Sequence, residues 1–125
     1  MKVQLLRSEI RRIGATAHTL FLEGQKTSTA VNLNTFSLAV VEAVLADAYV
    51  ILAECPDLLA AIEGIRNHAV LVNNKQQPFF LVTIWPPSTH EAMIRDHNCT
   101  LGVWAGQIVK LCETAEEMLD QLLAK

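Results

Sequence analysis

The spacing of apolar residues divides the chain into stretches of helical period and stretches of alternation. The clearest helical stretch is residues 35–54, where three apolar stripes run side by side. Leu38, Leu45 and Leu52 with Tyr49 form one stripe, and Val40, Val44 and Ile51 form another. The third is small: Ala39, Ala43, Ala46 and Ala53, with Val50 between them. Returns at three and four residues predict a helix, and Thr35 is placed to cap its start. A helix that is apolar around most of its circumference has to be covered on more than one side. Two covers satisfy this. One is a sheet and a neighbouring helix of the same domain; the other is a second subunit meeting Ala39, Ala43, Ala46, Val50 and Ala53.

Shorter helices are expected on either side. Leu6, Ile10 and Ile13 make one stripe over residues 3–13, and Gly14 stands where a C-terminal cap belongs. "PDLLAAIEGIR" opens on Pro56, a favoured first helical residue, and predicts a helix ending near Asn67. "ETAEEMLDQLLAK" predicts a closing amphipathic helix with Met118, Leu119, Leu122 and Leu123 on its apolar face.

The remaining stretches read as strands. "TAHTLFLEGQKTSTAVNLN" alternates loosely around a Gly-containing turn, and favours a hairpin over an extension of the first helix to about Leu22. "AVLVNNKQQPFFLVTIW" is two apolar runs joined by "NNKQQ", with Pro78 tolerated at a strand start. "TLGVWAGQIVKLC" predicts a further hairpin turning at Ala105-Gly106. Hairpins and helices are segregated rather than alternating singly. The expected class is therefore α+β: an antiparallel sheet of hairpins covered by the long apolar helix and the C-terminal helix. No repeat, low-complexity tract or Pro/Gly-rich linker interrupts residues 1–125, which are expected to form a single domain.

Composition narrows the class of function. The chain is 51% apolar and 18% charged, enough apolar surface to fill a core and leave some for a partner. The most apolar region is broken by Glu42, Asp47, Glu54 and Asp57, so no membrane span is expected. "MKVQLLRSEIRR" lacks the pattern of a signal peptide. Cys55, Cys99 and Cys112 are odd in number and widely spaced, which predicts free thiols and a cytoplasmic protein. Residues 1–26 carry a net +3 and the rest −6. A weakly basic first helix on an acidic body argues against a nucleic-acid binder and suits self-association.

The densest group of reactive side chains is "STHEAMIRDHNC", residues 88–99. Ser88 and Glu91 have capping-box spacing, which predicts a short helix over residues 89–97. His90 and His97 would then lie two turns, roughly 10 Å, apart, too far for both to hold one zinc ion. "HEAMI" puts an isoleucine where the HExxH motif needs its second histidine. His90, His97 and Cys99 thus remain weak metal candidates, and Cys99, after a helix C-terminus, is poorly placed as a thiolate nucleophile. No glycine-rich phosphate loop is present, and no cofactor is expected. Trp85 and Trp104 end strands in this reading, and could line an apolar ligand pocket oriented by His18 and His68. The expected function is a homodimeric binding or regulatory module acting through protein–protein contacts, more plausibly non-enzymatic. The alternative is a small-ligand-binding protein or modest enzyme using the aromatic and histidine-lined pocket.

Overall fold

The structure is a computed structural model that describes residues 2–23, 36–51, 53–79 and 87–124. Every regular element among these residues is a helix: α1 (Lys2–Glu23), α2 (Leu38–Ile51), α3 (Pro56–Phe79) and α4 (Pro87–Leu123). Their core positions share one spacing rule. On α1 the buried residues are Leu6, Ile10, Ile13, Ala17 and Leu20; on α3 they include Leu58, Ile62, Ile65, Ala69 and Val72. On α4 the buried apolar residues are Leu101, Ala105, Ile108, Cys112, Ala115 and Leu119. Each series steps by four and three residues in turn. That average of 3.5 keeps one seam facing its neighbours along a whole helix, as in coiled coils and four-helix bundles.

The contacts arrange the four helices as a ring. α4 packs most extensively, on α1 and on α3; α2 packs on α3 and α1; the backbones of the diagonal pairs make no close approach among the described residues. Arg7 pairs with Asp120 and Arg11 with Glu116, Gly14 lies against Cys112, and Phe21 lies against Gly106. One number rises as the other falls, so α1 and α4 are antiparallel. Gly64 against Leu111, with Leu58 beside Met118 and Leu122, on the α3–α4 seam, and Phe36 against Asn73 with Glu42 against Arg66 on the α2–α3 seam, give the same sense. The topology is up-down-up-down. α4, at about 1.5 Å per residue, is roughly 55 Å long and packs more extensively on α1 and α3 than α2 does.

The α+β expectation is overturned, because no strand is present among the described residues. Gly14 does not end the first helix, which runs to Glu23 and takes in "TAHTLFLE"; the rest of that expected hairpin, residues 24–34, lies outside the described residues. α3 continues past Asn67 through "AVLVNNKQQPF" to Phe79. The expected short helix over 89–97, the hairpin turning at Ala105-Gly106 and the C-terminal helix are all parts of α4. The physical reason is visible in burial. A strand over 101–105 would bury Leu101, Val103 and Ala105 together, yet Val103 is 56% exposed. Ala69 and Val72 are buried while Leu71 between them is 43% exposed. Tertiary burial at heptad spacing outweighs the β preference of Val, Ile, Thr and Trp, which amounts to a few tenths of a kcal/mol per residue.

The glycines that resembled turns are notches between helices. None of the described glycines has positive φ. A Cβ at Gly14 would stand 3.2 Å from Cys112 Cβ; at Gly106 it would stand 3.3 Å from the Phe21 ring. Cys112 Cβ is fixed to its helix, whereas the Phe21 ring is 38% exposed and can turn aside. Alanine otherwise favours a helix interior by about 1 kcal/mol over glycine. Gly106→Ala should therefore raise the thermal midpoint, while Gly14→Ala should leave it unchanged or lower it. Equal gains at both positions would contradict the close α1–α4 approach.

Candidate functional site

α2 is the helix with the most apolar sequence and the least cover. Its inner side carries Leu45 and Ala48, buried against its neighbours, with Phe36 tucked in just before its first turn. Its outer side carries Ala39, Ala43, Ala46 and Val50, followed by Ala53 in the turn beyond, and all five are exposed. Val50 is 77% exposed, the highest value of any large apolar side chain among the described residues. The five residues chosen from the sequence thus form one continuous outward stripe, stepping by four and three.

A polar seam borders the stripe where α2 meets α3. The Tyr49 hydroxyl donates a hydrogen bond to Glu63 Oε1. That bond holds the phenol proton, raising the Tyr49 pKa above its ordinary value; partial desolvation and the Glu63 charge act in the same direction, and Arg66 opposes them. Arg66 Nε lies 3.3 Å from Glu42 Oε1, an ion-pair distance without hydrogen-bond alignment. At the far end of the seam, Asn73 brackets the backbone of Phe36. The Phe36 N–H donates to Asn73 Oδ1 at 2.9 Å, and Asn73 Nδ2 donates to the Phe36 carbonyl at 2.7 Å. Two main-chain groups at the entry to α2 are thereby satisfied by one amide, which fixes where the helix starts. Asn73 belongs to "NNKQQ", which reads from sequence as a hairpin connection; only the helical register of α3 brings it to α2.

The residues proposed for a ligand pocket are distributed around the bundle. Trp85 lies outside the described residues. Trp104 is half-buried on α4, packed against the core. His68, on α3, is half-buried, and its Nδ1 donates to the Gly64 carbonyl at 2.8 Å. His18 is exposed on α1, whose backbone makes no close approach to that of α3 among the described residues. His68 and Trp104 therefore border the α3–α4 seam while His18 stands on the far side of α4. In the group at 88–99, α4 begins at Pro87, so Ser88 lies within the first turn rather than before it. His90 is in that same first turn, its side chain outside the described residues. His97 is 1% exposed and engaged with its surroundings, as is Asn98, while Cys99 is exposed. Cys99 is in mid-helix, not beyond a helix end, and it lies roughly 200° around α4 from His97 at 100° per residue. Among the described residues no three His, Cys, Asp or Glu side chains form a group able to hold a metal ion.

The basic character of α1 is taken up within the chain. Arg7 Nε lies 2.6 Å from Asp120 Oδ1, Arg11 Nε 2.8 Å from Glu116 Oε1, and Arg12 Nη1 3.4 Å from Glu9 Oε1. These surface pairs contribute at most about 1 kcal/mol each, but the two that reach Asp120 and Glu116 match the α1–α4 register. The thiols differ in setting. Cys99 is exposed, Cys55 half-buried, and Cys112 buried in the core facing Gly14. Burial pushes the Cys112 pKa up to about 12, with Glu116 and Glu113 adding to the effect.

No known protein family, curated protein or solved structure matches this chain.

Removing the Phe36 bracket with Asn73→Ala should lower stability by about 1–2 kcal/mol, read as a shift of the urea midpoint at constant slope. An unchanged midpoint would mean that the bracket does not hold α2. In the folded protein Cys99 should react readily with a thiol reagent at mild pH, and Cys112 only on unfolding. Between the ordinary thiol pKa of 9.0 and about 12, the unfolded chain ionises Cys112 while the folded chain keeps it neutral. Stability from this group is complete below that window and is lost as pH rises through it. Cys112→Ala should reduce the alkaline slope of the urea midpoint; an identical slope would show that the thiol is not held neutral.

Proposed function

We propose that this chain acts by binding, as a homodimeric interaction or regulatory module of the cytosol, with the outer face of α2 as its contact with a second copy. The observation that carries the reading is the exposed stripe of Ala39, Ala43, Ala46 and Val50 on a helix whose inner side is buried at Leu45 and Ala48. Small side chains let two helix backbones come as close as about 8 Å, so a stripe of them suits a helix partner. The steps of four, three and four read the same in both directions. In an antiparallel, two-fold pairing of α2 with its counterpart, Ala43 opposes Ala46 at the centre and Val50 opposes Ala39 at each end, the self-complementarity an isologous interface requires. The Tyr49–Glu63 and Glu42–Arg66 pairs would form a polar rim beside it.

No described helix is long and apolar enough to cross a membrane, and three free cysteines suit a reducing environment. Sedimentation of the wild-type chain should give a mass near twice 13.8 kDa. Ala46→Glu places a charge in the middle of the stripe and should yield a monomer with unchanged helical circular dichroism. A folded, dimeric Ala46→Glu chain, or a monomeric wild type, would rule out this face as the interface.

A further inference from the structure

A second candidate surface lies at the end of the bundle where α2 passes into α3. Residues Glu54–Leu58 and one edge of the last turns of α4 enclose an open cleft of about 340 Å³. Its apolar part is Leu58, Met118 and Leu122; Glu54 and Asp57 stand on the rim. Leu58 belongs to the core, whereas Met118 and Leu122 are only partly covered by it and leave apolar surface facing the cleft.

We propose that this cleft docks an amphipathic, basic helical segment of a partner protein, with one or two large apolar side chains in the cleft and its Lys or Arg residues on Glu54 and Asp57. Three observations support it. The volume is near the lower limit for small-molecule pockets and the site is open, so it suits anchor side chains of a larger partner better than an enclosed metabolite. Charge complementarity sets the sign: the lining holds two carboxylates and no cation, and neither carboxylate is ion-paired among the described residues. Asp57 also suits the N-terminal dipole of α3, but Glu54, which precedes the helix, has no such role. Finally, the unbranched thioether of Met118 can adapt to an incoming apolar side chain, as methionine does in grooves that receive amphipathic helices. The site is separate from the outer stripe of α2 and does not depend on it.

The test uses the full chain and a fluorescein-labelled synthetic amphipathic helix of leucine and lysine, with a leucine–glutamate helix as control. Fluorescence anisotropy should show binding of the basic helix only. The Glu54→Gln/Asp57→Asn double variant should bind it about tenfold more weakly. In spectra of methyl-labelled methionine, the Met118 signal should move on titration. Ala46→Glu should bind the peptide as the wild type does, whatever its subunit number, which separates this site from the α2 reading. Absence of binding, equal binding of the acidic helix, an affinity indifferent to the two neutralisations, or a silent Met118 methyl would each overturn the proposal.

Discussion

The heptad-spaced seam of α4 is the constraint on which the rest of the structure depends. Leu101, Ala105, Ile108, Cys112, Ala115 and Leu119 are each no more than 2% exposed, and they serve two neighbours at once. α1 is held against this seam through the Gly14 and Gly106 notches, with Arg7 and Arg11 setting the register outside the core. α3 is held on the other side with Leu111 over Gly64. The backbone of α2 makes no close approach to that of α4 among the described residues; α2 is carried by α3 and α1. Alternation of large and small residues along the seam, Ile108 between Ala105 and Cys112, lets side chains of adjacent helices interdigitate, and loss of Ile108 to alanine at such a site would cost about 2–5 kcal/mol.

This division of labour explains why the candidate contact is on α2. α4 packs extensively on both of its neighbours, whereas α2 packs less extensively on its own two. α2 meets its neighbours through Leu45 and Ala48, is pinned at its start by Asn73, and leaves an apolar side uncovered. Surface of that kind favours association by the same desolvation that builds a core, with about 25 cal/mol gained per Å² removed from water. The charges are distributed to match. Arg7 and Arg11 of α1 pair with acids of α4 and Arg12 with Glu9 of α1 itself, which leaves no cluster of unpaired arginines on α1 for a polyanion.

How much of this was legible in the sequence depended on whether a local pattern agreed with the tertiary one. Residues 35–54 read as a helix because three apolar stripes coincide there; α2 forms over Leu38–Ile51, with Ala39, Ala43 and Ala46 exposed. Pro56 marked the start of α3, and Cys112 was recognised as a core thiol, although on a strand. The heptads of α1 and α4 were missed because small core residues at Ala17, Ala105 and Ala115 carry little hydrophobic signal. Gly14 and Gly106 resembled turns, where they are in fact points of close helix approach. Val70–Val72 and Val103–Trp104 supplied β-like residues whose solvent side was indistinguishable from a buried one. The pocket of Trp85, Trp104, His18 and His68 was a statement about proximity between distant segments, which spacing along the chain does not encode; His18 and His68 sit on helices whose backbones make no close approach among the described residues.

Amide hydrogen exchange measured at low and high chain concentration tests the central claim most directly, because it reads the helices and the interface in one experiment. The account predicts protected amides through residues 101–119, as one continuous helix demands, and exchange that slows with concentration on α2 around Ala39–Val50 while α1, α3 and α4 change far less. Exchange independent of concentration across α2, or a slowing confined to another helix, would contradict it.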